Sequence, residues 1–183
     1  MIQIFFVYLL KCFWLMAPLG LANMAPVLCR KVPLLNRPID GGLTFKGNRL
    51  FGKTKTWRGL FVAAIFGEIA WLLMWWFSSY TGFREYTFFN IQDLSIWLGF
   101  VLGLGALLGD LIKSFFKRRF SHESSSRWFP WDNLDYILGG IVVYLFFINL
   151  TWYDYLATLA IGLALHIIAN LIGYALKIKK EPW

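Results

Sequence analysis

The 183-residue chain is 58% hydrophobic and 20% aromatic, carries only 15% charged residues, and has a formal net charge of +8. Ordinary globular domains hold about 25% charged residues, so this composition, with a mean hydropathy of +0.58, excludes a water-soluble enzyme and indicates an integral membrane protein. At about 20 residues per span the length allows one helical bundle and no separate soluble module, which leaves nucleic-acid binding without a domain to carry it.

Five stretches are long and apolar enough to span: residues 2–28, 59–80, 94–116, 134–150 and 155–176. They predict an all-α bundle of about five transmembrane helices, filling residues 1–183 as one domain, with polar loops at 29–58 and 117–133. The fourth stretch is short, and its ends are poorly marked. The first lacks a basic leader and stays apolar well beyond the core of a signal peptide, so it reads as a retained span.

Charge orients the bundle. The loop 29–58 holds Arg30, Lys31, Arg37, Lys46, Arg49, Lys53, Lys55 and Arg58; Lys113, Lys117, Arg118, Arg119 and Arg127 border the loop 117–133; Lys177, Lys179 and Lys180 close the chain. Together these are 16 of the 18 Lys and Arg residues, all at one end of the predicted bundle. The positive-inside rule makes that end cytoplasmic, with the N-terminus outside and the C-terminus inside. Attraction of the basic face to anionic membrane lipids follows from the same charges.

Within the first loop, Gly47, Gly52, Lys53 and Thr54 match the phosphate-loop pattern G-x-x-x-x-G-K-[ST]. That pattern needs a strand, a helix and a parallel sheet around it, for which the chain has no room. The segment therefore reads as a glycine-rich basic loop whose amides and cations can still meet phosphate oxygens.

Asp110 follows the glycine-spaced run from Ile96 to Gly109. A carboxylate inside a bilayer costs roughly 2.5–3.5 kcal/mol on insertion scales and calls for a partner, a wet cavity or a metal. On a helix, Lys113, Ser114 and Lys117 fall at i+3, i+4 and i+7 from it and share its face. Asp132 and Asp135 stand three apart just after Pro130, where two carboxylates on one helix face repel each other unless a cation intervenes. Asp110, Asp132 and Asp135 together would make an oxygen-rich cage suited to Mg²⁺. His122 and His166, with Cys12 and Cys29, supply no ligand set for zinc or iron.

These blocks carry a family likeness. Lys55-Thr-Trp-Arg-Gly59, the Gly109 to Arg119 segment and Pro130-Trp-Asp-Asn-Leu-Asp135 resemble the motifs of CDP-archaeol synthases, small relatives of the CTP:phosphatidate cytidylyltransferases. Asn23-Met-Ala-Pro-Val27, Arg37-Pro-Ile-Asp-Gly-Gly42, His166 to Asn170 and the final Pro182 and Trp183 are also similar to that pattern. The resemblance implies a five-span bundle with cytoplasmic active-site loops, and transfer of CMP from CTP to a lipid phosphate monoester with release of pyrophosphate. It implies Asp110, Asp132 and Asp135 as Mg²⁺ ligands and, with Lys113, as the catalytic set. Lys55, Thr56, Arg58, Ser114, Lys117, Arg118 and Asn23 are implied as substrate-binding residues, and Arg119 as a further contributor to binding.

Glu68, inside the second stretch, is either a cavity or cation residue or a hydrogen-bonded structural one. The rival class is a small transporter or channel with a cation site at the cytoplasmic edge. Such proteins spread polar residues through the membrane thickness and often show repeats, whereas here the charges gather at one end.

Overall fold

The computed structural model describes residues 1–80, 82–120 and 128–177. The chain forms α1 (Ile2–Leu28), a small hairpin of β1 (Thr44–Phe45) and β2 (Asn48–Arg49), α2 (Trp57–Phe77), two single 3₁₀ turns, α3 (Leu98–Arg119), α4 (Trp131–Phe147) and α5 (Trp152–Ala175). The expected basic residues Arg127, Lys179 and Lys180, and the pair Pro182 and Trp183, lie outside the described residues, as does His122.

Four of the helices, α1, α2, α3 and α5, are long and apolar enough to cross a membrane. The fourth in sequence, α4, has 17 residues, or about 25 Å at 1.5 Å per residue. Its bounds differ from the expected 134–150 because Pro130 stands at its N-cap and the polar Asp132 and Asn133 join its first turn, which a hydropathy reading excludes. α3 starts at Leu98 rather than 94 because residues 91–93 form a 3₁₀ turn. The carbonyl of Ser95, just before α3, accepts the Trp71 indole N–H at 3.0 Å.

α3 packs against α1, α2 and α4, and α5 packs on α1 and α4. Two glycine pairs on different faces of α3 make these contacts close. Gly99 and Gly103 lie against Ala63, Ala64 and Gly67 of α2, where a Cβ on Gly67 would stand 2.6 Å from the Gly99 carbonyl oxygen. Gly105 and Gly109 face Asp135 and Gly139 of α4, and a Cβ on Gly109 would collide with the Asp135 carbonyl oxygen. Lipid tails are as apolar as leucine, so membrane helices associate through such close backbone approach. The first glycine pair ties α3 to α2, and the second sets the height of Asp135 against Asp110.

Helix ends are satisfied by named side chains. Thr56 caps α2 by accepting the Gly59 amide at 3.2 Å, and Thr151 with Asp154 forms a reciprocal capping box on α5. Glu68 reaches from α2 to accept the Phe100 amide at 2.7 Å, capping α3 from a neighbouring helix. Of its two readings, this contact supports the hydrogen-bonded structural one.

The glycine contacts predict a graded series. Gly109→Ala and Gly103→Ala should each destabilise the fold by about 1–3 kcal/mol through overpacking. Gly20 has nothing within 4 Å of an added Cβ, so Gly20→Ala should be neutral or stabilising by about 0.5–1 kcal/mol. Thermal unfolding of the three proteins in one detergent checks the ranking.

Candidate active site

The basic end of the bundle is organised by its first loop. Lys46 and Gly47 take the positive φ values, 51° and 80°, of a two-residue hairpin turn, so the phosphate-loop lookalike is a hairpin and not a strand-to-helix turn. Behind the hairpin the chain doubles back on itself. The Ile39 amide donates to the Lys55 carbonyl at 2.8 Å, Trp57 to Arg37 at 3.1 Å and Arg58 to Leu35 at 2.9 Å. This strap holds Lys55 just ahead of α2.

Asp40 is the anchor of the loop, and sequence reading placed it only within a family-like segment. It is 3% exposed, pairs with Arg49, and accepts the amides of Gly42 at 3.1 Å, Phe51 at 3.2 Å and Gly52 at 3.0 Å. Burial works against its charge, but Arg49 and these three amides outweigh it and hold the carboxyl well below the ordinary carboxylate range. Arg119 then docks the hairpin on α3. Its guanidinium lies 3.9 Å from the Phe115 ring centroid and donates to the carbonyls of Arg49 at 3.1 Å and Leu50 at 3.2 Å. Arg119 thus holds the loop in place. Arg118 lies against Gly52, where an added Cβ would stand 2.7 Å from its guanidinium.

Under this loop the three expected carboxylates meet. Lys113 Nζ lies 3.2 Å from Asp110 Oδ1, 2.9 Å from Asp132 Oδ1 and 2.8 Å from Asp135 Oδ2. Lys117 Nζ sits 2.9 Å from Asp132 Oδ2, and Lys55 pairs with Asp110 from the loop. Asp110, Asp135, Ser114 and Lys117 are buried; the Asp132 and Lys55 side chains, 26% and 23% exposed, form the watery side. Asp132 also accepts the Trp128 amide at 2.7 Å, closing the turn that enters α4.

Other expected site residues stand outside this ion-paired cluster. Thr56 is the α2 cap, the Arg58 guanidinium binds the Val32 carbonyl, and Asn23 is half-buried on α1. Among the described residues no cluster of three or more His, Cys, Asp and Glu side chains is preformed to hold a metal, because the acids converge on an ammonium. The donor set nonetheless fits a hard cation. It offers only oxygens, and each acid places one within 3.2 Å of a single positively charged point.

An apolar groove of about 600 Å³ adjoins the cluster between α3 and α4. Ile112, Phe116, Leu138 and Val142 line it, Phe120, Trp128 and Trp131 lie at one end, and Gly109, Gly139, Lys113 and Asp135 belong to its wall. Ile112 and Val142 are exposed, as apolar side chains that face lipid would be.

Comparison with known proteins shows the family. The family model described as CarS-like CDP-archaeol synthase matches residues 2–183. The chain belongs to the CDP-archaeol synthase family. It is 35% identical over 176 residues to a CDP-archaeol synthase of Pyrobaculum islandicum, covering 96% of this chain and 99% of that one. It is 37% identical over 158 residues to one of Methanosarcina barkeri, covering 80% and 90% respectively. A solved structure, described as an intramembrane enzyme for archaeal membrane lipid biosynthesis, superposes with a TM-score of 0.72 at 30% identity, covering 88% of this chain and 94% of that one. Family membership makes the chain a multi-pass membrane enzyme of the cytidylyltransferase class and sets the transporter reading aside.

Asp40 generates a pH-dependent prediction. Its native pKa lies below the unfolded value of about 3.9, so its stabilisation is complete above that value and is lost as pH falls through the lower native one. Asp40→Asn should cost about 2–4 kcal/mol at neutral pH. The gap from the parent protein should begin to close only below about pH 4. Unfolding midpoints measured between pH 7 and pH 3 test both statements.

Proposed function

We propose that the chain transfers CMP from CTP to the phosphate of an archaeal ether lipid, forming CDP-archaeol and pyrophosphate at a site facing the cytoplasm. The observation that carries this reading is the sharing of Lys113 and Asp135 between two unlike surfaces. One is a cluster of three carboxylates and three lysines; the other is an apolar groove on the lipid-facing side. A triphosphate suits the first and isoprenoid chains suit the second. Relatives that are CDP-archaeol synthases favour the ether lipid over an ester phosphatidate.

In the transfer, an oxygen of the lipid phosphate attacks the α-phosphorus of CTP, the bond from that phosphorus to the bridging oxygen breaks, and pyrophosphate leaves. The attacking oxygen is already ionised near neutral pH, so no residue has to remove a proton. Lys55, Lys113, Lys117 and Arg118 neutralise and orient the phosphates. Asp110, Asp132 and Asp135 would hold Mg²⁺, which when bound offsets charge on the triphosphate and on the leaving pyrophosphate. Ser114, buried one turn beyond Asp110 on α3, is a further candidate for substrate contact, as are Arg58 and, on α1, Asn23. The sequence pattern, which puts 16 of the 18 Lys and Arg residues in or next to the segments predicted on one side, supports a cytoplasmic site, with the N-terminus outside and the C-terminus inside.

Purified protein given CTP labelled at the α-phosphate, Mg²⁺ and the ether-lipid phosphate should move label into the organic phase; no transfer with either ether-lipid phosphate or phosphatidate sinks the reading. Asp110→Asn and Asp135→Asn should each cost at least about a hundredfold in turnover. Leu138→Trp, which fills the groove, should raise KM for the lipid severalfold and leave KM for CTP unchanged. Initial rates with each substrate varied in turn separate the two.

A further inference from the structure

Lys113 does more in this structure than await a phosphate. Its ammonium lies at the one point that Asp110, Asp132 and Asp135 all face, at 3.2, 2.9 and 2.8 Å. Lys55 and Lys117 pair with the outer sides of Asp110 and Asp132. Three acids are thus matched by three lysines, and the cluster is neutral without any further cation. Mg²⁺ requires oxygens at about 2.0–2.1 Å, so it and the ammonium cannot share that position.

A divalent ion arriving alone would have to displace Lys113 and would leave three ammonium groups and two extra charges in a largely buried pocket, where unpaired charge is costly. A nucleoside triphosphate removes this obstacle, because its oxygens give the lysines new partners and its charge offsets the metal. The lysine side chain, a compact charge on a flexible four-carbon stem, can make this exchange without a movement of α3.

Resting on the proposed use of CTP at this site, we infer that Lys113 keeps the three carboxylates closed to divalent ions until a nucleoside triphosphate draws its ammonium away. Metal binding is then conditional on nucleotide. Linkage makes the effect reciprocal: the metal tightens nucleotide binding by the same factor.

The test is binding of Mn²⁺ as the probe ion to the purified full-length protein, followed by the electron paramagnetic resonance signal of free Mn²⁺. It is run with and without a CTP analogue whose α–β bridge is a methylene group, subtracting the metal held by the analogue alone. The parent protein should bind Mn²⁺ at least tenfold more tightly with the analogue than without it. Lys113→Gln should bind Mn²⁺ without nucleotide at least tenfold more tightly than the parent, and adding Asp110→Asn should abolish that gain. Equal Mn²⁺ affinity of the parent protein with and without the analogue overturns the inference, and so does a folded Lys113→Gln protein with no gain. If Lys113→Gln does not fold, the comparison on the parent protein still decides. Failure here is distinguishable from failure of the cytidylyltransferase reading. A protein that makes CDP-lipid yet binds Mn²⁺ equally well alone overturns only the linkage, and one that shows the linkage but transfers no label overturns only the activity.

Discussion

Two buried carboxylates and a third at their wet edge cannot stand side by side at a membrane edge without matching positive charge, and meeting that demand shapes the whole basic end of the bundle. Asp110 and Asp135 are 8% and 6% exposed, too dry for water to neutralise them. Lys113 and Lys117 come from the last turns of α3, where they also favour the negative end of the helix dipole, while Lys55 has to be brought from the loop ahead of α2. Hence the loop is built with care. Asp40 gathers its amides, the strap from Leu35 to Arg58 fixes its exit, and Arg119 presses the hairpin onto α3. One ion pair, Lys55 with Asp110, joins this assembly to the cluster beneath it.

The backbone contacts of α3 and the charges of the site depend on each other. A side chain at Gly109 would push α4 away from α3 and carry Asp135 with it. The geometry of the cluster therefore rests on the absence of a side chain at Gly109, next to Asp110, and at Gly139, one helical turn along from Asp135. Conversely, the ion pairs from Lys113 and Lys117 to Asp132 and Asp135 draw together the ends of α3 and α4, across the region where α4 begins.

Much of this could be read from the sequence, and the reasons for the remainder are specific. The bounds of α1 agree with its apolar run, and the i, i+3, i+7 spacing correctly placed Lys113 and Lys117 on the face of Asp110. Hydropathy missed the start of α4 because a polar helical turn that faces a site looks like loop. Asp40 carries no local signal because its partners Arg49, Phe51 and Gly52 lie nine to twelve residues away in an irregular loop, where no periodicity connects them. Thr56 did carry a readable signal, a threonine just ahead of an apolar helix, which is the usual mark of an N-cap. The likeness to family motifs drew attention toward substrate instead. Convergence of three acids on Lys113 depends on the distance between α3 and α4, a quantity that spacing along one helix does not contain.

The glycines that bring α3 and α4 together also shape the space beside them. Gly109 and Gly139 belong to the wall of the groove as well as to the helix contact, so the backbones nearly touch and leave no room for a lipid chain between them. Free volume lies instead on the outer side of the pair, bounded by Ile112, Phe116, Leu138 and Val142. A lipid phosphate could then approach sideways from the membrane, its chains never leaving an apolar medium, while its head meets Lys113 and Asp135. In the proposed reaction the nucleotide needs the opposite surroundings and would meet the same two residues from the side of Lys55 and Asp132. On that proposal, two substrates with no common solvent would be brought into contact by side chains that border both phases, which would account for a site at the end of the helices rather than midway along them.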